Sequence, residues 1–302
     1  DMSLMFAGIE IMGENSVDFE VLAVTDNGSI LFNEIEPYDD YYLFHLKRMD
    51  PDETVSHIAT FTSHGGDWDI DSWGNIVYIT NNDLFLVSPY GHVQQVAWGA
   101  FDGADAVAVH PKTGDYYVAD SQGKHIVRVR PDGQVDHLFE DHEHFGWIEG
   151  LDFTPEGTLI IADEGTNAIY SFNGMSLTTI AQGGLIENPE DVVVDQEGNY
   201  LVPMDSYDGE NDSTKCSIVK VTPDGDVTYL IEREFVYIDN IGIYRNMPTP
   251  WVSTDITSGT IAPGSQQTVE ASFNASDIFG GSHHRTIAVT SNAVNSGTVN
   301  VS

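Results

Sequence analysis

Cysteine, lysine and arginine are the scarce residues of this chain: one Cys and 11 Lys+Arg in 302 residues, against 48 Asp+Glu, for a net charge of −37. The lone Cys216 excludes a disulfide framework within the chain. No apolar run approaches the ~20 residues that a membrane-crossing helix needs. So large an acidic excess repels nucleic-acid phosphates and anionic lipid, which excludes both as expected partners. Cations are the natural partners, with Ca²⁺ the expected one. A basic, apolar leader is also missing, and the chain opens on Asp1 rather than Met. Together with the acidity, this leads us to expect a secreted or cell-surface protein.

The charge is unevenly spread. Residues 251–302 contain Asp255, Glu270 and Asp277 against Arg285, so residues 1–250 carry almost all of the excess. The tail is instead rich in serine and threonine, 16 of its 52 residues. A composition break therefore falls near Pro248-Thr249-Pro250, dividing the chain into residues 1–247 and 248–302.

What the sequence has in abundance is a repeat. Apolar alternation, a tight turn ending in glycine and a second short strand recur at VLAVTDNGSILF (21–32), DWDIDSWGNIVYI (67–79), AVAVHPKTGDYYVAD (106–120), GLDFTPEGTLIIAD (150–163) and DVVVDQEGNYLVPMD (191–205). The turn glycines Gly28, Gly74, Gly114, Gly157 and Gly198 are spaced by 46, 40, 43 and 41 residues. A second hairpin follows each time, as in IVRVRPDGQVDHL (126–138) and IVKVTPDGDVTYL (218–230), where Pro-Asp-Gly supplies the turn. Four short strands in each period of about 40–45 residues are the pattern of a β-propeller blade. Five full blades are readable. YIDNIGIYRN (237–246) begins another, and LMFAGIEIM (4–12) is the candidate strand to close the ring. The expectation is an all-β protein, a β-propeller with six blades favoured over five or seven, followed by a partial immunoglobulin-like β-sandwich.

The motifs PEDVVVDQEGNYLV (189–202) and DYYVADSQGKHIVRVRPDG (115–133) resemble NHL-repeat propellers and the gluconolactonase-like family of six-bladed propellers. The resemblance covers roughly residues 15–246. It is specific for architecture, because such propellers host lactonases, lyases and binding modules alike. The segment PWVSTDITSGTIAPGSQQTVEASFNAS (250–276) resembles the second half of a bacterial immunoglobulin-like repeat of the abnormal-spindle/hydin type. Strands are expected near 251–256, 267–273, 284–290 and 297–302. An incomplete sandwich leaves a strand edge that is covered by its own propeller, by the N-terminal segment or by another chain.

Aligned on the turn glycines, the repeats place acidic or amide groups near the start of each innermost strand: Asp67, Asp105, Glu149, Glu190 with Asp191, and Asp239 with Asn240. The first blade has Val21 and Leu22 instead. Around a central channel these oxygen donors suit Ca²⁺ or Mg²⁺. The alternative is that they accept hydrogen bonds from backbone amides where the strands begin. The family resemblance implies a channel-bound divalent metal held by Glu, Asn and Asp from different blades, with Glu149-Gly150 resembling the family's Glu-Gly element and Asp239-Asn240 standing where it uses acid or amide ligands. This chain departs from that pattern in having no Pro after Glu149-Gly150 and no Pro-Asn-Gly element.

A second acidic group, Asp208, Glu210 and Asp212, alternates along an insertion containing Gly209, and is either a calcium-wrapping loop or a solvated one. The pair His142 and His144 is only half of a metal site. Trp68, Trp73, Trp98 and Trp147 either line a carbohydrate-binding mouth or pack between sheets. No Gly-x-Ser-x-Gly elbow, phosphate loop or His-Glu-x-x-His helix is present. The first functional expectation is a non-catalytic binding or assembly module, self-associating into filaments or a surface layer, or docking another surface protein, through its N- and C-terminal strands. The alternative is a divalent-metal-dependent lactonase-like hydrolase or lyase working in the central channel.

Overall fold

The computed structural model of the chain describes residues 4–5, most of 18–235, 241–243 and, beyond them, 252–254, 268, 270–273, 287–289 and 299–301. The chain divides into two compact units, Asp1–Asn246 and Met247–Ser302.

In the first unit, β1 (Leu4–Met5) precedes five antiparallel four-stranded sheets. The first blade is β2 (Asp18–Val24), β3 (Ile30–Tyr38), β4 (Tyr41–Met49) and β5 (Val55–Ser63). The second is β6 (Trp68–Ile70), β7 (Ile76–Ile79), β8 (Leu84–Val87) and β9 (Val93–Ala97). The third is β10 (Ala104–Val109), β11 (Tyr116–Asp120), β12 (His125–Val129) and β13 (Val135–Glu140). The fourth is β14 (Ile148–Phe153), β15 (Leu159–Asp163), β16 (Ala168–Phe172) and β17 (Leu177–Gln182). In the fifth, β18 (Val193–Val194) and β19 (Tyr200–Met204) are separated by a small hairpin, β20 (Tyr207–Asp208) and β21 (Ser213–Thr214), from β22 (Cys216–Val221) and β23 (Val227–Phe235).

The strand β24 (Gly242–Ile243) pairs antiparallel with β1, Leu4 opposite Ile243 and Met5 opposite Gly242. It lies against β18 of the fifth blade and β2 of the first, so the N-terminal segment does close the ring. Among the described residues there are five full blades, and where a sixth was expected stands this two-stranded pair.

The turn chemistry explains the repeat. Asp71 and Asp195 each accept the backbone N–H four residues on, from Asn75 and Asn199, through Oδ1 at 2.8 Å, and Thr154 Oγ1 does the same for Thr158 at 3.1 Å. The glycine just before that donor takes the left-handed conformation the turn requires. The core then forms between blades. Successive apolar clusters join Leu31, Phe44 and Leu46 to Ile76 and Tyr78, Val77 and Leu84 to Val118 and Val127, Ala119 and Ile126 to Ile161 and Tyr170, and Ile160 and Ile169 to Val202 and Val219. Both faces of a middle strand are therefore covered, which is why every residue of β15 is buried.

Close blade packing makes one glycine critical. Gly225, at φ +89°, lies where a Cβ would come within 2.5 Å of the Ile180 carbonyl oxygen in the preceding blade. Gly225→Ala is expected to lower the unfolding free energy by roughly 1–3 kcal/mol, from backbone strain and displacement of β17, as measured by urea denaturation.

The second unit contains two described antiparallel pairs, β25 (Val252–Thr254) with β26 (Ala271–Phe273) and β27 (Ile287–Val289) with β28 (Val299–Val301). The four strands fall within the stretches expected from the sequence. Among the described residues the two pairs are not joined into one sheet, and the agreement with the immunoglobulin-like expectation is one of strand placement alone.

Candidate functional site

The innermost strands β6, β10, β14, β18 and β24 are neighbours in that order. Their first residues lie at one end of the ring, reached through the loops that connect the outermost strand of one blade to the innermost of the next. Two classes of carboxylate occur there, and the structure separates what the sequence alignment joined.

The first class ties blades together. Asp67 Oδ2 accepts from Val107 N–H and Asp69 Oδ2 from Val109 N–H, each at 2.7 Å across the second and third blades. Asp152 Oδ2 accepts from Val194 N–H at 2.7 Å, and Asp191 Oδ2 from Ile241 N–H at 3.0 Å. The other oxygen of Asp69, Asp152 and Asp191 accepts the following residue's own amide, at 2.7, 2.7 and 2.6 Å. These carboxylates satisfy backbone donors at an innermost strand that has no further strand beside it. Where they are missing, small residues let the strands approach instead: Ala106 and Ala108 lie in β10, and a Cβ on Gly150 of β14 would sit 2.5 Å from the Asp191 Cα.

The second class sits on β-bulges. The β10–β11 register shifts between Ala104 and Ala106, leaving Asp105 as the extra residue, and the β14–β15 register shifts between Ile148 and Gly150, leaving Glu149. In the fifth blade Pro189 bridges Met204 and Val193 pairs with Leu201, so an extra residue again falls between them, in the stretch holding Glu190. Asp105, Glu149 and Glu190 each lie five residues before the residue that opens the following turn, whereas Asp67 and Asp191 lie four before it. The expected single ring is therefore two sets in different registers. A bulge re-aims the side chain it carries, and bulges gather beside functional sites. All five carboxylates are half-buried.

Of the other expected ligands, Asp239, Asn240, Glu210 and Asp212 lie outside the described residues, and Asp208 is placed only as part of β20. Among the described residues, no group of three or more His, Cys, Asp or Glu side chains stands close enough to share a metal ion. His142 is likewise outside the described residues, while His144 is exposed and its carbonyl accepts from Tyr170 OH at 3.2 Å.

Sequence reasoning missed the residues that shape the mouth. Asp163, at the end of β15 and fully buried, accepts from Gly146 N–H at 2.9 Å through Oδ2, and from Trp147 N–H at 3.1 Å and Thr166 N–H at 2.9 Å through Oδ1. Asp120, at the end of β11, accepts from Asp102 N–H at 3.0 Å. The repeated Ala-Asp closing YVAD (117–120) and IIAD (160–163) was the available signal. Burial pushes the Asp163 carboxyl above the ordinary carboxylate range, with the amides of Trp147, Gly146 and Thr166 pulling against it. The loops these acids hold present Trp98, 82% exposed, and Trp147, 45% exposed, at the same end of the ring as Asp105 and Glu149. Trp68 packs against the core between the first and second blades, and Trp73 is outside the described residues.

Comparison with known proteins agrees with this architecture. Residues 104–240, the third to fifth blades, match the SMP-30/gluconolactonase/LRE-like region family. Among solved structures, a selenomethionine-substituted virginiamycin B lyase from Staphylococcus aureus is similar with a TM-score of 0.54 at 8% identity, over 78% of this chain and 90% of that one. The catalytically inactive form of that lyase with quinupristin gives 0.53 at 10% identity, again over 78% and 90%. A streptogramin B lyase gives 0.52 at 15% identity, over 77% of this chain and 74% of that one. At these identities the likeness to the solved structures is one of fold. No curated protein matches the chain.

Proposed function

We propose that the first unit is a divalent-cation-dependent enzyme that opens a cyclic ester at the mouth of the propeller channel, as a lactonase-like hydrolase or a lyase. The observation that carries this reading is the shifted register, which leaves Asp105 and Glu149 as the extra residues of β10 and β14, with Glu190 at the same offset before its turn and just ahead of β18, all within the residues matching the gluconolactonase-like region. Their donor set is hard carboxylate oxygen, which fits Ca²⁺ or Mg²⁺ and disfavours softer ions. The three do not stand close enough to share an ion among themselves, so the proposed ligand set draws on them together with Asp239 and Asn240. Such a cation supplies Lewis-acid polarisation of the ester carbonyl.

The chain's own residues supply the rest. Trp98 and Trp147 offer apolar faces to a ring-shaped substrate. The acidic field concentrates cations at the mouth and repels a carboxylate product once the ring has opened. A neutral cyclic ester is therefore favoured over a sugar acid. Calorimetric titration with Ca²⁺ and Mg²⁺, followed by hydrolysis assays on a panel of neutral lactones with and without the bound ion, tests the reading. Cation-dependent turnover is expected. Absence of both binding and turnover would overturn it.

In the same reading, β1 and β24 are the inner half of a sixth blade, the loop with Asp208, Glu210 and Asp212 is a further Ca²⁺ candidate, and the protein works outside the cell. A second reading, self-association through the terminal strands, is favoured by the C-terminal unit. Its sequence resembles only the second half of an immunoglobulin-like repeat, and an incomplete sandwich leaves a strand edge for another chain to cover. If this immunoglobulin-like segment docks on another chain, light scattering will show oligomers that disappear when the chain is ended at Met247. A monomer at all concentrations would rule this out.

A further inference from the structure

A third set of chemistry-bearing side chains lies away from the channel, on the outer strands of the first blade. Alternate residues Leu31, Phe44, Leu46, Ala59 and Phe61 face the second blade and form the core, so Glu36, His45 and Thr60 lie on the opposite face. His57 would not join them in a regular strand. The β4–β5 register shifts between Leu46 and Lys47, leaving Ile58 as an extra residue and setting His57 opposite Lys47, on the face that carries His45.

There the two imidazoles converge. His45 Nδ1 lies 2.9 Å and His57 Nε2 2.8 Å from the same atom, Thr60 Oγ1, with ring centroids 6.3 Å apart. The other nitrogen of His45, Nε2, lies 3.3 Å from Glu36 Oε2. An ionised carboxylate only accepts, so Glu36 holds the proton on Nε2 and leaves the Nδ1 lone pair turned toward Thr60 Oγ1, the atom that His57 Nε2 also reaches. A carboxylate that fixes the tautomer and orientation of a histidine in this way is the usual outer partner of a metal-ligating imidazole.

The arrangement occurs twice. In the third blade the β12–β13 register shifts between Ile126 and Val127, Leu138 is the extra residue, and His137 is set opposite Val127 next to His125, with ring centroids 5.7 Å apart in a T-shape. His125 and His137 hold the register positions of His45 and His57, and Glu140 holds that of Thr60. The fourth blade has the same bulge with Ala168, Thr179 and Gln182 in those places. The bulge therefore belongs to the fold, and the histidine pairs are additions to it. They account for four of the chain's 11 histidines.

We propose that His45 and His57, oriented by Glu36, form a binding site for a borderline divalent transition ion of the Zn²⁺ or Ni²⁺ class, and that His125 and His137 form a second copy. Two imidazole nitrogens with water completing the coordination suit such ions, whereas the all-oxygen carboxylates at the channel mouth suit Ca²⁺ or Mg²⁺. On an acidic protein, the field draws divalent ions to both places, and ligand type sorts them.

The test is calorimetric titration of the untagged full-length chain with ZnCl₂ and with NiCl₂, in the presence of excess Ca²⁺ to saturate oxygen sites. Two ions per chain are expected, at affinities in the micromolar range. His57→Ala should remove one ion and His137→Ala the other, and Glu36→Gln should weaken the first site by roughly 10–100-fold without touching the second. His57→Asn, a polar replacement on an exposed strand, serves as a second variant, and unchanged melting temperatures show that the sheet is intact. No Zn²⁺ or Ni²⁺ binding at about 100 μM ion, well above the micromolar range expected for such a site, would overturn the proposal. So would an unchanged stoichiometry in both His57 variants.

Discussion

Replacing Asp163 by alanine is expected to lower the unfolding free energy by about 2–4 kcal/mol, the largest stability loss we anticipate for a single side chain. One buried carboxylate accepts the amides of Gly146, Trp147 and Thr166, and alanine leaves all three donors without it. Asp163→Asn should lose less, because the amide oxygen still accepts from Trp147 and Thr166 while its NH₂ meets the Gly146 donor. The effect depends on pH with a definite sign. Burial raises the carboxyl above its model value of 3.8, so the native protein takes up this proton at a higher pH than the unfolded chain does. The stability this group contributes is complete below the unfolded value and is lost as pH rises through the native one. The loss caused by Asp163→Asn, which cannot titrate, should therefore be greater at pH ~5 than at pH ~7.5. Urea denaturation at these two values checks this, and both lie clear of the isoelectric point near 4.1. A larger loss at the higher pH would show that the amide donors outweigh burial.

Glu149→Gln should do the reverse, leaving the melting temperature unchanged while lowering kcat/KM for the best lactone by about 10²-fold or more. Glu149 is the extra residue of a bulge, so it stands outside the β14–β15 backbone ladder, and glutamine keeps the length and shape of its side chain. Asp152, three residues on, is the internal control. It is buried and accepts from Phe153 and Val194 N–H, each at 2.7 Å, so Asp152→Ala should lower stability by about 2–3 kcal/mol. Its effect on turnover in the folded fraction should be small. Thermal melts and steady-state kinetics on the two variants separate a ligand-binding carboxylate from a blade-joining one. Loss of stability in Glu149→Gln with turnover intact would assign Glu149 to the joining class.

Much of this protein was legible in its sequence. Three of the turns combine a glycine in the left-handed conformation with a side-chain acceptor four residues before the donor it holds, so residues 71–75, 154–158 and 195–199 announce their hairpins locally. The strands between them alternate or run apolar according to whether one face or both are covered, a property of a few consecutive residues. The ring-closing strand was also legible, because β24 begins a blade whose remaining strands do not follow it.

What only the tertiary structure decided were the registers and the partners. A bulge inserts one residue without altering composition, so Asp105, Glu149 and His57 look no different in sequence from residues on regular strands. Whether an acid joins two blades depends on an amide some 40–50 residues away, as with Asp67 and Val107 or Asp191 and Ile241, and no local pattern specifies that meeting. Local chemistry determined the turns and strands of this protein. Contacts between blades, which exist only once the ring has closed, decided which of its many carboxylates bind the chain to itself.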